Sequence, residues 1–259
     1  MALETGNQQI RTLEDRFRHC AHVIKAQRPR VTLWKLESCR LVYLPVPKVA
    51  SSGIRQMLRA RQRDEILGAN CDSSIDEREL KRQSEEQLKV SLRPAQVGRM
   101  GSHYHRFSFV RNPLTRLYSC YRDKVVNAQQ RRDRCTLSPY RIHFGMSFED
   151  FIERVAEIPD KYSDQHFRSQ SALLLHKGEL LVDYWGKLER FADDWEVLSN
   201  RFGLAVPLRA KRVSGVAVPM NELPITRRGL ELFMKRFEQD LDIFEYRRDL
   251  EVLMDELSG

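Results

Sequence analysis

The stretch LVYLPVPKVASSGIR, residues 41–55, is the part of the sequence most informative about the fold. It begins with a short apolar run, continues with Pro47-Lys48 and then small or hydroxyl-bearing residues, and ends in an amphipathic segment. This order predicts a strand, a turn and the start of a helix. Consecutive backbone N–H groups at a helix N-terminus, with a lysine beside them, form a site for phosphate or sulfate. Lys48 precedes the small residues, so the GxxxxGK[ST] spacing of nucleoside triphosphate loops is absent.

A second stretch, HRFSFVRNPLTRLYSCYRDKVV at residues 105–126, repeats this order. Its FSFV run predicts a buried strand that ends at Arg111, and Asn112-Pro113 supplies an N-cap followed by proline at the first helical position. Ser119 lies on the predicted helix, away from its apolar stripe. A guanidinium at a strand end and a hydroxyl on the next helix can bind one phosphate together.

These two stretches resemble the cofactor-binding motifs of sulfotransferases. PKVASSGIR (residues 47–55) is similar to the family's 5′-phosphosulfate loop. FVRNPLTRLYSCYRDK (residues 109–124) is similar to its 3′-phosphate segment, with the family's arginine-to-serine spacing. Three further stretches are similar to the carbohydrate sulfotransferase branch, of chondroitin and HNK-1 type: DQHFRSQ (164–170), YWGKLERFADDW (184–195) and ELFMKRFEQDLDIFEY (231–246).

The chain also departs from the family's pattern at several positions. VASS at residues 49–52 replaces the common VGCT, Asn112 replaces an acid, and FEY at residues 244–246 replaces FGY. The cysteine pair of Golgi members is missing, and SALLL occupies residues 171–175 instead. None of these changes removes a phosphate ligand.

The resemblance implies transfer of a sulfuryl group from 3′-phosphoadenosine 5′-phosphosulfate (PAPS) to a carbohydrate hydroxyl, leaving 3′-phosphoadenosine 5′-phosphate (PAP) and requiring no metal. It assigns Lys48 to the leaving phosphate, where a positive charge stabilises the transition state. Arg55 is either a sulfate contact or a helix-surface charge, and residues 211–214 either close over the nucleotide or form an exposed basic loop. The implied cofactor-binding residues are Lys48, Val49, Ala50, Ser51, Ser52, Gly53, Ile54, Arg55, Arg111, Ser119, Lys211, Arg212 and Ser214.

An acceptor hydroxyl needs a general base, and histidine suits that task at neutral pH. The resemblance favours His166, with Asp164 either orienting it or acting as the base itself. The alternative for His166 is a buried residue that shapes its loop. His105, with His103, is the runner-up, because some uronic acid sulfotransferases carry their base just before the second strand.

In the YWGKLERFADDW stretch we expect structural roles. Gly186, Lys187 and Glu189 are interpreted as a tight turn with an ion pair, and Phe191 and Trp195 as core residues of the following helix.

Composition bounds the other possibilities. The 259 residues, 41% of them hydrophobic, favour a single domain over residues 1–259. The formal charge of +8 suits a polyanionic cofactor or an acidic glycan better than a nucleic acid, because no helix presents a basic face interleaved with aromatics. The five cysteines are scattered, which indicates neither a disulfide framework nor a zinc site. The oligomeric state is not indicated.

No apolar stretch is long enough to span a bilayer. We therefore expect a cytoplasmic, bacterial-type soluble enzyme, or a Golgi lumenal one if the sequence is a trimmed domain.

Other classes stay open at this point. A nucleotide kinase needs metal-binding acids after a second strand, where this chain has Arg111-Asn112-Pro113. A non-catalytic polyanion-binding protein would use the same positive charge without a cofactor. Resemblance favours a carbohydrate acceptor, and a lipid or small-molecule hydroxyl is the alternative within the same chemistry.

The alternation of strands and helices predicts an α/β fold of three layers, P-loop-like, with a mainly parallel sheet flanked by helices. Ligands of such sheets bind beyond the carboxyl ends of the strands, so the two phosphate motifs are expected to converge on one cofactor. Residues 1–38 are interpreted as a helical extension, and residues 63–94 as a polar insertion that is an exposed helix or a mobile lid. We expect strands at 40–46, 106–110, 172–175 and 180–186, and helices at 9–26, 52–62, 75–89, 113–129, 148–156, 192–202 and 225–241.

Overall fold

The computed structural model describes residues 30–69, 76–204 and 218–258 of the chain. The described strands are β1 (Val31–Leu36), β2 (Leu41–Tyr43), β3 (Lys89–Leu92), β4 (His105–Val110), β5 (Leu175–His176), β6 (Glu179–Leu180) and β7 (Tyr184–Lys187). Five of them form the central sheet, in the order β3-β1-β2-β4-β7, while β5 and β6 form a separate antiparallel pair.

The central sheet is mainly parallel, as predicted. β2 pairs in parallel with β4, and β4 pairs in parallel with β7. β1 runs antiparallel to both β2 and β3, so β3 points in the same direction as β2. Four of the five strands therefore run the same way, and β1 is the exception among them.

Helices flank the sheet and follow the strands in the predicted order. The described α-helices are α1 (Ser51–Ala69), α2 (Glu77–Leu88), α3 (Pro94–Arg99), α4 (Pro113–Tyr121), α5 (Phe148–Ala156), α6 (Gln170–Leu174), α7 (Phe191–Phe202), α8 (Arg227–Arg236), α9 (Glu238–Ile243) and α10 (Arg247–Glu256). α4 continues through a π-helical turn, Arg122–Val126, into a last short segment, Asn127–Gln130. None of the helices described combines the length and apolar character that crossing a bilayer requires.

Both faces of β4 are buried, which is typical of a parallel strand covered by helices. The Phe109 ring lies 4.6 Å from that of Phe191 and 6.2 Å from that of Trp195, which confirms that these two α7 residues pack in the core. On β7, a Cβ atom at Gly186 would lie 2.5 Å from Phe109 Cε1. Glycine is therefore required there for close approach of β7 to the β4 side chains.

Several predicted elements are wrong or incomplete. Residues 31–36 form β1 of the sheet instead of part of a helical extension, and the segment interpreted as a polar insertion ends in the sheet strand β3. Residues 172–175, predicted as a strand, lie mostly in α6. The Asp240 carboxylate accepts the N–H groups of Gln170 and Ser171 at the start of this helix, which favours the helical state.

Two further differences concern helices. The predicted helix at 225–241 divides at Phe237 into α8 and α9, and α10 follows without having been predicted. The helix predicted at 9–26 lies outside the described residues.

The topology brings both predicted phosphate motifs to one edge of the sheet. β2 and β4 are adjacent and parallel, with Tyr43 paired to Phe107, and the ladder extends by a bond from the Leu44 N–H to the Phe107 carbonyl oxygen at 2.9 Å. Lys48 follows the carboxyl end of β2, and Arg111 follows that of β4.

Candidate active site

The turn that carries Lys48, residues 47–53, is called the Lys48 turn below. Lys48 (φ 71°) and Ala50 (φ 57°) both adopt the left-handed conformation, which costs a residue other than glycine about 1–2 kcal/mol. The side chains of Val49 and Ile54 are fully buried on either side and anchor the backbone. Alternating left- and right-handed residues form concave sets of N–H groups that bind anions.

The backbone donors of the Lys48 turn fall into two groups. The N–H groups of Gly53 and Ile54 both donate to the Ala50 carbonyl oxygen, at 2.9 Å and 3.4 Å. No acceptor among the described residues takes the N–H groups of Ser51 and Ser52, which begin α1. The turn therefore combines two backbone donors, a helix N-terminus and two serine hydroxyls in the two residues that directly follow Ala50.

Lys48 is paired with Asp123, a residue that sequence analysis missed. The Lys48 ammonium lies 3.2 Å from Asp123 Oδ2, and the Lys48 side chain is 14% exposed. Burial alone would raise the pKa of the Asp123 carboxyl. The positive charges of Lys48, Lys124 and Arg131 together have the larger effect, so this pKa lies below its ordinary value. Asp123 lies on the π-helical turn, a feature common at functional sites.

Arg111 has an uncommitted guanidinium fork. Its Nε donates to Thr115 Oγ1 at 3.0 Å, and neither terminal nitrogen has a hydrogen-bond partner within the described residues. Burial lowers the pKa of Arg111 from its ordinary value. Four residues along one face are spaced by four positions: Arg111, Thr115, the half-buried Ser119 and Asp123. One helix face therefore leads from Arg111 past Ser119 to the partner of Lys48.

The turn after β4 is held by two side chains from distant parts of the chain, Gln170 and Glu189, and Tyr246 supports Glu189. Gln170 accepts the Arg111 N–H at 3.0 Å and donates to the Arg111 carbonyl oxygen at 2.8 Å. Glu189 accepts the Asn112 N–H at 2.7 Å and the Tyr246 hydroxyl at 2.8 Å. Burial, and then the charge of Glu189, raise the pKa of Tyr246, so its hydroxyl stays protonated as a donor.

These contacts correct the role expected for Glu189. Instead of an ion pair with Lys187, it holds the backbone beside Arg111. Lys187 donates to the Glu245 carbonyl oxygen at 3.1 Å and lies 4.4 Å from the centre of the Tyr246 ring.

His166 and Asp164 form a hydrogen-bonded pair. His166 Nδ1 lies 2.6 Å from Asp164 Oδ1, and the His166 N–H donates to the same oxygen at 2.9 Å. Burial acts to raise the pKa of Asp164, but the bonds from the His166 ring and backbone lower it below its ordinary value. An ionised Asp164 fixes the proton on Nδ1, which leaves Nε2 as a proton acceptor. This geometry favours Asp164 as the orienting residue.

His105 lies at the other end of the sheet. It is the first residue of the six-residue strand β4, roughly 16 Å along the strand from its carboxyl end, and His103 precedes it. Its ring stacks on Phe202 at 5.0 Å, and burial followed by the charge of Arg201 lowers the pKa of His105. The structure separates both histidines from the Lys48 turn.

A cleft of about 620 Å³ joins the Lys48 turn to the segment that carries His166, residues 163–169, called the His166 loop below. Arg55 lines this cleft, donates from Nε to the Ser51 carbonyl oxygen at 3.1 Å, and lies 5.8 Å from the Trp34 ring. The charged residues that line the cleft are basic except for Glu85. Its polar and charged lining residues are Arg30, Thr32, Ser51, Arg55, Arg59, Glu85, Lys89, Gln165, His166 and Arg168.

Comparison with known proteins identifies the family. The family model described as "Sulfotransferase family" matches residues 32–247. The chain belongs to the sulfotransferase family. It is 30% identical over 139 residues to carbohydrate sulfotransferase 14 of Mus musculus, covering 49% of this chain and 35% of that protein. It is 32% identical over 176 residues to carbohydrate sulfotransferase 14 of Danio rerio, covering 63% of this chain and 46% of that protein.

The chain spans less than half the length of these curated relatives. No solved structure gives a significant match to it. The family match confirms the resemblance read from the motifs, since it extends across all five of them.

Not every expected sulfotransferase site residue can be placed. Lys211, Arg212 and Ser214 lie outside the described residues. Two further charged residues near the Lys48 turn, Asp123 and Arg116, were missed because both look like helix-surface charges in the sequence. Their only signal was membership of the FVRNPLTRLYSCYRDK stretch. Among residues 30–69, 76–204 and 218–258, no group of three or more His, Cys, Asp or Glu is arranged to hold a metal ion.

Proposed function

We propose that this protein transfers a sulfuryl group from PAPS to a hydroxyl of an acidic carbohydrate. The observation that carries the proposal is the position of Lys48 and Arg111 after two neighbouring parallel strands, linked by the α4 face that bears Ser119. Family membership and relatives named as carbohydrate sulfotransferases support it.

The donor set suits the two anionic ends of PAPS. The N–H groups of Ser51 and Ser52, their hydroxyls and the Lys48 ammonium would bind the 5′-phosphosulfate. The uncommitted fork of Arg111 and the Ser119 hydroxyl would bind the 3′-phosphate. PAPS supplies the activated sulfuryl group, and Lys48 would then neutralise negative charge on the departing phosphate.

His166 is the proposed general base. Its Nε2 would accept the proton of the acceptor hydroxyl while the oxygen–sulfur bond forms and the bond from sulfur to the 5′-phosphate oxygen breaks. Asp164, bonded to Nδ1 at 2.6 Å, would hold the ring and stabilise its protonated form. The cleft shared by Ser51 and His166 supports this division of labour.

An acidic acceptor follows from the charge around the cleft. A second cleft of about 600 Å³, between α1 and α2, shares Arg59 with the first and is lined by Arg63, Arg78 and Lys81 together with Glu77. Arg59 is paired with Glu85, and the cations of the two clefts outnumber their carboxylates. Arg55, Arg59 and Arg63 are spaced by four residues, so they lie on one face of α1. A carbohydrate with carboxylate or sulfate groups would meet this row as it leaves the active site.

The first test is ligand-dependent melting. PAP should raise the melting temperature, because a ligand that binds only the native state stabilises it. ATP with magnesium serves as the comparison, and stabilisation by ATP with magnesium alone would indicate a nucleotide kinase. Transfer of labelled sulfate from PAPS to carbohydrate, lipid and small hydroxyl acceptors then tests the acceptor class, and glycan binding without any transfer would indicate a non-catalytic polyanion-binding protein.

Arg111→Ala tests the 3′-phosphate contact. Loss of charge-assisted hydrogen bonds costs about 1.5–3 kcal/mol, which weakens PAP binding by about 10- to 150-fold. Arg228→Ala on α8, at a side chain that is 78% exposed, is the matched control and should leave the Kd of PAP unchanged. Equal Kd values for the two variants would contradict the role of Arg111.

A further inference from the structure

Arg116 is a buried cation that the proposed mechanism does not use. It is the largest of the fully buried side chains described, at 1% exposure, and burial lowers the pKa of its guanidinium from the ordinary value. No carboxylate among the described residues lies in ion-pair contact with it; Asp240 and Asp160 act on it only through longer-range attraction. A buried charge without a contacting counter-ion destabilises a fold unless hydrogen bonds compensate.

The compensation comes from three backbone carbonyls. Arg116 Nε donates to the Pro47 carbonyl oxygen at 3.0 Å. Its Nη1 donates to the Arg168 carbonyl oxygen at 2.8 Å, and its Nη2 to that of Gln165 at 3.2 Å. One planar guanidinium therefore joins the residue before Lys48 to the two residues that flank the His166-Phe167 pair.

Arg106 provides an internal contrast. It is 9% exposed and also donates to backbone carbonyls, those of Val97 and Gly98. Its charge, however, is neutralised by Asp183, which accepts from both Nε and Nη2. Arg106 lies in β4 near its amino end, away from both active-site segments. The chain thus contains a buried arginine with a counter-ion and another whose contacts all go to active-site backbone.

We propose that Arg116 is a positioning residue that fixes the Lys48 ammonium relative to Nε2 of His166 and keeps a positive charge beneath the Lys48 turn. The inference rests on the proposed function. In-line transfer requires the base and the leaving-group cation to act on opposite sides of one sulfur atom. A displacement of about 1 Å between such groups can reduce turnover by about 100-fold.

Three substitutions of Arg116 distinguish the effect of its hydrogen-bond geometry from the effect of its charge. Arg116→Lys keeps the charge and loses the planar fork, so kcat should fall by about 100-fold while the Kd of PAP stays close to wild type. Arg116→Met removes both, so kcat should fall and PAP binding should weaken as well. Arg116→Gln keeps two hydrogen-bond donors without a buried charge and is the variant most compatible with folding.

The matched controls are Arg106→Lys, Arg106→Met and Arg106→Gln. All six variants are compared with wild type by melting temperature, PAP titration, and kcat and KM for PAPS below the melting temperature of each. The Arg106 variants should lose stability and keep the wild-type kcat. If Arg116 had a purely structural role, the Arg116 variants would also lose stability and keep the wild-type kcat.

The outcomes are distinguishable. Wild-type kcat in Arg116→Lys or Arg116→Gln would overturn the positioning role, and so would failure of Arg116→Gln to fold when Arg106→Gln folds. A wild-type protein that transfers no sulfate to any acceptor would instead overturn the proposed function, independently of every variant. A fall in kcat confined to the Arg116 series, with native melting behaviour, supports the inference.

Discussion

The two ends of the central strands differ in how their cationic side chains are neutralised. At the amino end of β4, Arg106 is neutralised by Asp183, and nearby Lys35 pairs with Glu37. At the carboxyl end, Arg111 donates to a hydroxyl and Arg116 to backbone carbonyls, while Lys48 pairs with Asp123. Charges that are neutralised internally support the fold, whereas cations without a contacting carboxylate remain available to stabilise an incoming anion. Two of the three cations at the proposed anion site, Arg111 and Arg116, therefore differ from those at the amino end by having no contacting carboxylate among the described residues, and Lys48, paired with Asp123, is the exception.

Substitution of Lys48 should give the largest difference in kcat between the two ends of the central strands. Lys48→Ala should reduce kcat by about 1000-fold, because it removes the charge proposed to act on the leaving phosphate. PAP binding should weaken much less. Lys35→Ala, at the other end of the sheet, is the matched control, and steady-state kinetics with both variants should show normal turnover for it. Similar kcat values for the two would remove Lys48 from the mechanism.

The two histidine positions give the next largest difference. His166→Ala should lower kcat by about 100-fold with PAP binding intact, since it removes the proposed base without touching the donor residues. His105→Ala should leave kcat unchanged, although loss of its stacking on Phe202 should lower the melting temperature. Unchanged turnover in His166→Ala, with a fall in His105→Ala, would reverse the assignment.

Two aspartates extend the comparison to pH. Asp160 accepts from Arg236 and from the Ser169 N–H, and Asp183 accepts from Arg106. Burial acts to raise the pKa of each, but these bonds lower both pKa values below the ordinary value of about 3.9. Their contribution to stability is therefore complete above that value and is lost as the pH falls through the lowered pKa values.

The asparagine variants of these two aspartates should lose similar stability and differ in kcat. Asp160→Asn and Asp183→Asn should each lose about 2 kcal/mol at pH 7 and show a flatter dependence of unfolding free energy on acid pH. Asp160→Asn should also reduce kcat, because Asp160 holds Ser169 of the His166 loop. Urea unfolding between pH 3 and pH 7, with kinetics at pH 7, measures both effects; equal kcat values would count against a role for Asp160 in holding the loop.

The smallest expected effect concerns backbone strain at the two ends of β2. Ala50 (φ 57°) follows β2 and Arg40 (φ 49°) precedes it, both in the left-handed conformation. Ala50→Gly and Arg40→Gly should each raise the free energy of unfolding by about 1 kcal/mol, because glycine adopts this conformation without strain. Denaturant unfolding checks both, and a loss of stability in Ala50→Gly would contradict the strained turn.

Short sequence patterns predicted the elements whose limits are set by residues close to them in the chain. The helix at 148–156 was predicted residue for residue, because Ser147 and Asp150 form a capping box that fixes its start. The positions of Lys48 and Arg111 after buried strands were likewise visible, since each strand is apolar and each following helix begins with a clear signal. Placement of both at one sheet edge followed from the parallel topology.

Other parts depend on residues far away in the chain, and sequence patterns could not supply them. Residue 31 pairs with residue 92, so the pairing of β1 with β3 joins segments that are separated in the chain by β2, α1 and α2. SALLL at 171–175 is an apolar run that fits a strand or a helix, and the carboxylate of Asp240 at its start is about 70 residues distant. Arg116 looks solvent-exposed until the His166 loop covers it.

The π-helical turn within α4 has a consequence for how this helix can change. A π-helical turn contains one residue more than the α-helical turn it replaces, so deleting a single amino acid between positions 122 and 126 would restore regular winding and leave the following segment facing as it does now. Ala128, at 4% exposure, would stay buried, whereas the residues within the turn, Asp123 among them, would change their position along the helix. Loss of the extra residue would therefore disturb the partner of Lys48 before it disturbed the core.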